Sequence, residues 1–333
     1  TGEMVSASLV AIALNQLGLK AKSLSAAQFG MKTTSNFSRA KILDLDKNII
    51  FKTIEDGYIP IITGFQGVTN EGDTTTMGRG GSDTTAVAIA ASIKSKRCDI
   101  YTDVDGIYTT DPRIVPDAKK LDSISMEEML ELAGQGAKVM QIRAVEFANK
   151  YKVLVRVLSS FEPGSGTLIL QEEDGMEDAV ITGIASQTDQ TKFTLHGVVD
   201  TPGIASGILS PVSEAGIEVD VIVQNVSVSG KTDFTFTVGT PDRAEVESVL
   251  KEKMQGISFD ELIIDEGIGK VSLVGVGMRS HAGIASTAFN ALADAGINIQ
   301  MISTSEIKIT IVISKEQLED AVKTLHEAFN LGD

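Results

Sequence analysis

Apolar and polar residues change period along the first half of the chain, so helices and strands are predicted in turn. Helices are predicted at residues 5–17, at a segment ending at 55, at 126–133 and at 139–150. Short strands are predicted at 59–63, 99–101 and 153–158. Strands that alternate with helices predict an α/β fold, a mostly parallel sheet sandwiched by helices.

The second half contains an internal repeat displaced by 80 residues. Residues 203–206 recur as 283–286, and residues 215–217 recur as 295–297. Each copy reads strand, glycine turn, helix, strand, strand, helix, which predicts two ferredoxin-like βαββαβ units.

The number of strands in the two copies differs. The first copy reaches a fourth strand at 259–264, whereas none follows the last helix of the second. A strand at 179–185 has no place before the first copy. Because an unpaired sheet edge exposes backbone donors and acceptors, we expect this surplus strand to complete the second unit.

Residues 74–86 carry the strongest chemical signal in the chain. Three threonines precede Gly78, Arg79, Gly80 and Gly81, and an apolar helix follows without a break. Ser82 or Asp83 is predicted to cap that helix. Glycines that allow close backbone approach, a helix start and a guanidinium together predict an anion site. The alternative is a tight turn between a strand and a helix.

Composition restricts the partners. The net charge of −16 argues against nucleic acid and anionic membrane, because both attract a basic surface. One cysteine, Cys98, excludes a disulfide framework and indicates a cytoplasmic location. Three separated histidines show no metal-ligand spacing, so no metal site is predicted. No run of 18 apolar residues is present.

Four separated motifs, at residues 1–8, 74–86, 102–113 and 134–148, occur in an order that resembles the aspartokinases of the amino-acid-kinase family. The repeat resembles tandem ACT domains, which sense amino acids in these enzymes. The resemblance implies transfer of a phosphoryl group from ATP, with Mg²⁺, to the side-chain carboxylate of L-aspartate. That reaction opens the biosynthesis of lysine, threonine and methionine.

The resemblance also assigns residues to the two substrates. The predicted catalytic residues are Arg79 and Asp83. The aspartate site comprises Glu3, Arg79, Gly80, Gly81, Ser82 and Asp83. Arg79 would bind the α-carboxylate, and Glu3 and Asp83 the ammonium group; a helix-terminal carboxylate is the alternative role for Glu3. The nucleotide site comprises Thr102, Asp103, Tyr108, Arg113, Lys138 and Val139.

The ACT resemblance implies an amino-acid effector, lysine or threonine, bound at glycine turns and facing strands. The effector positions are Asp200, Thr201, Pro202, Gly203, Ile204, Ala205, Ser206, Glu218, Val219, Asp220 and Gln224 in the first unit, and Ile284, Ala285, Asn298, Ile299, Ser305 and Glu306 in the second. These glycines could instead serve only as turns.

The predicted domains are a kinase domain at 1–172, a linker at 173–178, a first ACT unit at 179–266 whose strand 179–185 joins the second, and a second ACT unit at 267–333. Aspartokinases open with a Lys-Phe-Gly-Gly-Thr-Ser type of segment that this chain lacks. The kinase segment is therefore expected to be incomplete at its start, with little turnover by this chain alone.

Alternatives and assembly follow from the same motifs. A catalytically inactive amino-acid sensor is one alternative, and a kinase acting on glutamate or a carbamate is another. We expect a homo-oligomer through the ACT units. Met176 follows residues 172–175, whose codons all begin with G, which is typical of an internal translation start; the alternative is an acidic linker that happens to contain a methionine. The resemblance to aspartokinases implies that a regulatory subunit begun there would give an α₂β₂ assembly.

Overall fold

The computed structural model describes residues 1–78, 80–137, 139–171, 180–225, 230–253 and 257–332. The chain forms two units. The first contains Thr1–Tyr108 and the chain from Lys120 up to the undescribed segment 172–179. The second contains Thr109–Lys119 and the chain beyond that segment. The two units are described separately.

The first unit alternates helices and strands as its apolar pattern predicts. Its helices are α1 (Gly2–Gln16), α2 (Ala26–Phe29), α3 (Lys47–Glu55), α4 (Gly81–Ser92), α5 (Met126–Gly134) and α6 (Ile142–Tyr151). Its strands are β1 (Ala21–Leu24), β2 (Lys32–Thr33), β3 (Ile42–Asp44), β4 (Ile59–Ile62), β5 (Gln66–Val68), β6 (Thr74–Thr76), β7 (Cys98–Thr102), β8 (Ser123–Ser125), β9 (Val155–Ser159) and β10 (Thr167–Leu170).

Pairing in the first unit is mixed. One sheet has the order β7-β9-β10-β8, another has the order β3-β2-β5-β6, and β1 pairs with β4. The pairs β1–β4, β7–β9, β8–β10 and β2–β5 are parallel. The pairs β9–β10, β2–β3 and β5–β6 are antiparallel, so "mostly parallel" describes these sheets only loosely.

The second unit contains both ferredoxin-like repeats. Its first repeat comprises β12 (Gln190–Val199), α7 (Ile204–Glu214), β13 (Val219–Gln224), β14 (Lys231–Gly239), α8 (Arg243–Lys253) and β15 (Glu261–Asp265). The remaining elements are β11 (Gly183–Gln187), β16 (Ile268–Val274), α9 (Ile284–Asp294), β17 (Met301–Thr304), β18 (Lys308–Ser314) and α10 (Leu318–Ala328).

The two sheets of this unit have equivalent strand orders, β13-β14-β12-β15 and β11-β16-β18-β17. β11 precedes the first repeat in the chain but pairs antiparallel with β16, from Gly183 opposite Val274 to Gln187 opposite Lys270. It occupies the edge that β15 fills in the first sheet. Aromatic residues fill the first core, where the rings of Phe193 and Phe236 stack 5.3 Å apart.

Residues 109–119 form a hairpin within the second unit. The Thr109 N–H donates to the Lys119 carbonyl (2.9 Å), and the Ile184 N–H donates to the Thr109 carbonyl (2.7 Å). Ala118 pairs with Gly332 in an isolated antiparallel bridge. The predicted boundary at residue 172 assigns this hairpin to the kinase domain, whereas the structure places it in the second unit, with the two repeats.

Candidate functional site

The glycine-rich segment leads directly from β6 into α4. Gly80 lies in the N-cap position in the left-handed region, with φ of +65°, and Gly81 is the first helical residue. The prediction that Ser82 or Asp83 caps this helix is wrong, because no side chain makes a capping hydrogen bond and both residues lie inside the helix. Glycine reaches a positive φ without a Cβ clash, which explains the helix start.

Asp83 interacts with a second helix. Its half-buried carboxylate accepts the backbone N–H of Gln141, at the start of α6. Burial raises the pKa of Asp83 above its ordinary value, and the Gln141 hydrogen bond opposes this rise. The Gln141 side chain also lies against Gly80. The starts of α4 and α6 therefore meet at the glycine-rich segment.

The carboxyl end of β4 approaches the same helix start. Phe65 has a φ of +68°, which is unusual for a bulky residue. Its N–H donates to the Thr85 hydroxyl (3.1 Å), and its carbonyl accepts the Met77 N–H (3.0 Å). A Cβ added to Gly64 would lie 3.2 Å from Cα of Ser82. The backbone at residues 64–65 therefore packs closely against the glycine-rich segment and the start of α4.

Arg143 is a contact of this segment that the sequence analysis missed. Its Nη1 donates to the carbonyl of Met77 (2.9 Å), and its Nη2 donates to the carbonyl of Ala40 (3.1 Å). In sequence it is one basic residue on an amphipathic helix, which usually means a solvated charge. Only the tertiary structure reveals its two backbone partners.

The predicted nucleotide residues belong to different local networks. At the end of β7, the Thr102 hydroxyl donates to the Asp103 carboxylate (3.1 Å). The Tyr108 hydroxyl donates to Asp105 (2.8 Å), which also accepts from Lys120 (3.1 Å). Although burial opposes it, these hydrogen bonds hold the pKa of Asp105 below its ordinary value.

Arg113 lies in the hairpin of the second unit, where its exposed side chain pairs with Asp111 at 2.7 Å.

Four further predicted residues are located as follows. Glu3 lies half-buried in the first turn of α1, and Val139 lies three residues before α6. Among the described residues, neither one makes a hydrogen bond or an ion pair with Asp83. Arg79 and Lys138 lie outside the described residues.

The predicted effector segments begin two equivalent helices. Gly203 precedes α7 with φ of +93°, and Gly283 precedes α9 with φ of +98°; neither helix has a side-chain cap. Most of the predicted effector residues are exposed, and Ile284 is buried. Both repeats thus present backbone N–H groups at the same point of the fold.

Two predicted effector residues form ion pairs within the second unit. Asp220, in β13, pairs with Lys270 of β16, which is 1% exposed. Glu306 lies 3.5 Å from Arg279. The Asp220 pair links the two repeats.

Within the described residues, no group of three His, Cys, Asp or Glu side chains is arranged to hold a metal ion. In the same part of the chain, no helix combines the length and apolar content needed to cross a bilayer.

Comparison with known families identifies a kinase part followed by two ACT repeats. The amino acid kinase family model matches residues 1–159, and ACT domain models match residues 194–253 and 271–329. The chain is 54% identical over 332 residues to the aspartate kinase of Pseudomonas fluorescens, covering 99% of this chain and 80% of that protein. The chain belongs to the aspartate kinase family.

Solved structures of this family share the fold. Escherichia coli aspartokinase III in complex with aspartate and ADP matches with a TM-score of 0.85 and 30% identity, over 98% of this chain and 74% of that one. The same enzyme in complex with lysine and aspartate matches with a TM-score of 0.74, over 100% of this chain and 74% of that one. The predicted α/β fold with two ACT units is confirmed.

One expectation is corrected. The kinase segment is not absent, because the kinase family model matches the chain from residue 1.

Proposed function

We propose that the chain catalyses phosphoryl transfer from ATP, with Mg²⁺, to the side-chain carboxylate of L-aspartate. A carboxylate oxygen forms the new bond to the γ-phosphorus, the bond between that phosphorus and the β,γ-bridging oxygen breaks, and the products are 4-phospho-L-aspartate and ADP. The observation that carries the proposal is 54% identity to an aspartate kinase along almost the whole chain.

The arrangement around α4 supports an amino-acid substrate. The helix start supplies backbone N–H groups, and Asp83 supplies a carboxylate within the same turn. Under the proposal, Arg79 binds the α-carboxylate, while Asp83 and Glu3 bind the ammonium group. Two anions must approach each other in this reaction, so Arg113, Lys138 and Mg²⁺ would offset the charge of the nucleotide.

Paired arginine substitutions test this assignment in the intact protein. Arg79→Ala removes a bidentate charge pair, so the aspartate KM should rise by tens to hundreds of fold, equivalent to about 2–4 kcal/mol. Arg113→Ala should instead raise the ATP KM and leave the aspartate KM close to that of the wild type. An Arg79→Ala enzyme with an unchanged aspartate KM would contradict the proposal.

Regulation is proposed through the ACT repeats. Lysine or threonine would place its carboxylate at the N–H groups following Gly203 or Gly283 and its amine near Gln224. Isothermal titration of the intact protein should detect one of these amino acids, and Gln224→Ala should weaken its binding. Binding of neither amino acid would leave the repeats as assembly modules.

The assembly and location are proposed on sequence grounds. ACT units are expected to join copies of the chain, with a separate regulatory subunit started at Met176 in an α₂β₂ form. The single cysteine supports a cytoplasmic location.

A further inference from the structure

Arg143 bridges two backbone segments that are far apart in sequence. Its two terminal nitrogens donate to the carbonyls of Ala40 and Met77 (3.1 and 2.9 Å). Ala40 is fully buried and Met77 is 3% exposed. A guanidinium holds two donors in a fixed planar fork, so it sets the spacing between its two acceptors in a way that an ammonium cannot.

The segment at 36–40 runs beside the start of the glycine-rich segment. The Ala40 N–H donates to the Thr76 carbonyl (3.0 Å), and the Thr76 N–H donates to the Phe37 carbonyl (2.8 Å). A Cβ added to Gly78 would lie 3.4 Å from the Ser38 carbonyl oxygen. Arg143 closes this pairing from the side of α6, so the backbone entering residues 77–80 has little freedom.

The same helix start holds the other end of the segment. Gln141 donates its N–H to Asp83, and its side chain lies against Gly80. Its carboxamide also caps α6 by accepting the Arg143 N–H (2.7 Å). Arg143 and the N-cap residue Gln141 therefore contact the two ends of this segment, Arg143 at Met77 and Gln141 at Gly80 and Asp83.

We propose that Arg143 is a positioning residue for the aspartate site. With Gln141, it fixes the backbone at Met77 and at Gly80, and so sets the position of the start of α4 and of Asp83 relative to the substrate. Such pre-organisation matters because small displacements of a binding group reduce its contribution to substrate orientation. This inference rests on the proposed aspartate kinase activity.

Charge and geometry can be separated experimentally. Within the described part of the chain Arg143 forms no ion pair, so its positive charge could attract an anionic substrate without any positioning role. Arg143→Lys keeps the charge and loses the fork, whereas Arg143→Met loses both. Arg97→Met is the matched control, because Arg97 is an exposed arginine of the same unit and its partner Asp99 keeps Arg156.

Steady-state kinetics on the intact protein give the first measurement. In both Arg143 variants the aspartate KM should rise by about tenfold, as expected for loss of a charged hydrogen bond. The ATP KM should stay within about twofold of the wild type, because the side-chain hydrogen bonds of Arg143 go to Met77 and Ala40, beside the predicted aspartate site. A loss of folded enzyme alone would lower kcat and leave both KM values unchanged. Full retention of aspartate KM in Arg143→Lys would overturn the positioning role in favour of simple charge.

Amide hydrogen exchange gives a second measurement that needs no activity. The Thr76 and Met77 amides should exchange faster in both Arg143 variants and at the wild-type rate in Arg97→Met. Unchanged exchange in the Arg143 variants would overturn the inference even if kinetics changed. If the wild type fails to phosphorylate aspartate, the proposed function fails, and exchange still decides whether Arg143 fixes this segment.

Discussion

Nε2 of His326 lies 3.0 Å from the hydroxyl oxygen of Thr109, inside the second unit. The same hydroxyl accepts the Lys119 N–H (3.0 Å) and lies 3.1 Å from the Leu331 carbonyl. A threonine hydroxyl has one proton and two lone pairs. All three contacts are satisfied if the hydroxyl donates to Leu331 and His326 donates through Nε2–H. We therefore assign neutral His326 to the Nε2–H tautomer.

This assignment predicts that acid destabilises the second unit. His326 is 2% exposed, and burial lowers its pKa below 6.5, although Asp117 opposes the shift. The unfolded chain then binds a proton at a higher pH than the folded chain, so the free energy of unfolding falls as pH drops below about 6.5. Urea unfolding at pH 7.5 and 5.5 measures this change in the free energy of unfolding. Far-ultraviolet circular dichroism is the suitable signal, because the chain has no tryptophan whose fluorescence could be followed.

His326→Gln is the matching variant. At pH 7.5 it should lower the free energy of unfolding by about 1–2 kcal/mol, through lost packing and a lost hydrogen bond. The further decrease in that free energy between pH 7.5 and pH 5.5 should be smaller than in the wild type. His196 and His281 stay in place, so the difference between the two proteins isolates His326. An equal pH dependence in both proteins would contradict the prediction.

A second prediction concerns the ion pair between the buried Lys270 and the partly exposed Asp220. Burial lowers the pKa of Lys270, and Asp220 acts in the opposite direction. Asp220→Asn leaves a buried ammonium without its partner and should cost about 2–3 kcal/mol at pH 7, less than a fully buried pair because Asp220 is partly exposed. Lys270→Met replaces the charge by an apolar chain of similar length, so its cost should stay below about 1 kcal/mol.

The pH dependence of Asp220→Asn has a defined sign. Its unpaired lysine is protonated more readily in the unfolded chain than in the folded one, so the free energy of unfolding should rise as the pH is raised toward the ordinary lysine pKa of 10.5. Lys270→Met has no such group and serves as the control. If Lys270→Met proved more destabilising than Asp220→Asn, the ion pair would be a net stabilising contact and the prediction would fail.

A third prediction compares two glycines of the first unit. Gly72 has φ of +93° and open space where a Cβ would point, whereas Gly80 has φ of +65° and a Cβ there would collide with Gln141. Gly72→Ala should lower the free energy of unfolding by about 1–3 kcal/mol, through backbone strain alone. Gly80→Ala should lower it further and should also raise the aspartate KM.

The collision can be relieved separately from the strain. In Gly80→Ala combined with Gln141→Ala, the extra loss of stability over Gly72→Ala should largely disappear, while the strain remains. If Gly80→Ala is no worse than Gly72→Ala in either stability or aspartate KM, Gln141 does not constrain this segment.

The fold could be predicted from the sequence where the residue pattern is local or repeated. The 80-residue displacement aligned Gly203 with Gly283, and both begin helices at equivalent points. Counting strands also singled out a surplus strand ahead of the first repeat, and β11 pairs with β16. Periodicity and sheet-edge satisfaction suffice for these features because every member of a repeat obeys the same constraints.

The site was harder to predict from the sequence, because its contacts join residues that are far apart along the chain. Asp83 was expected to cap its own helix, a local preference, but its carboxylate accepts the N–H of Gln141 instead. Arg143 reaches a carbonyl 103 residues away, and the positive φ of Phe65 has no signature in residue type. Lys270 lies within the fully buried strand β16, and its partner Asp220 comes from the neighbouring repeat.

The last prediction concerns Met176, which lies outside the described residues. Residues 172–175 are Glu, Glu, Asp and Gly, and both glutamate codons consist only of purines, so a purine-rich tract precedes an in-frame Met codon. A product begun there would contain β11 and every strand of both ACT repeats, and each sheet could keep its four strands. Replacing the Met176 codon by a leucine codon in the native gene should abolish a short C-terminal band on a blot while leaving the long product. The same replacement at the Met254 codon is the control and should leave both bands. A wild-type extract with no short band would show that no second product is made.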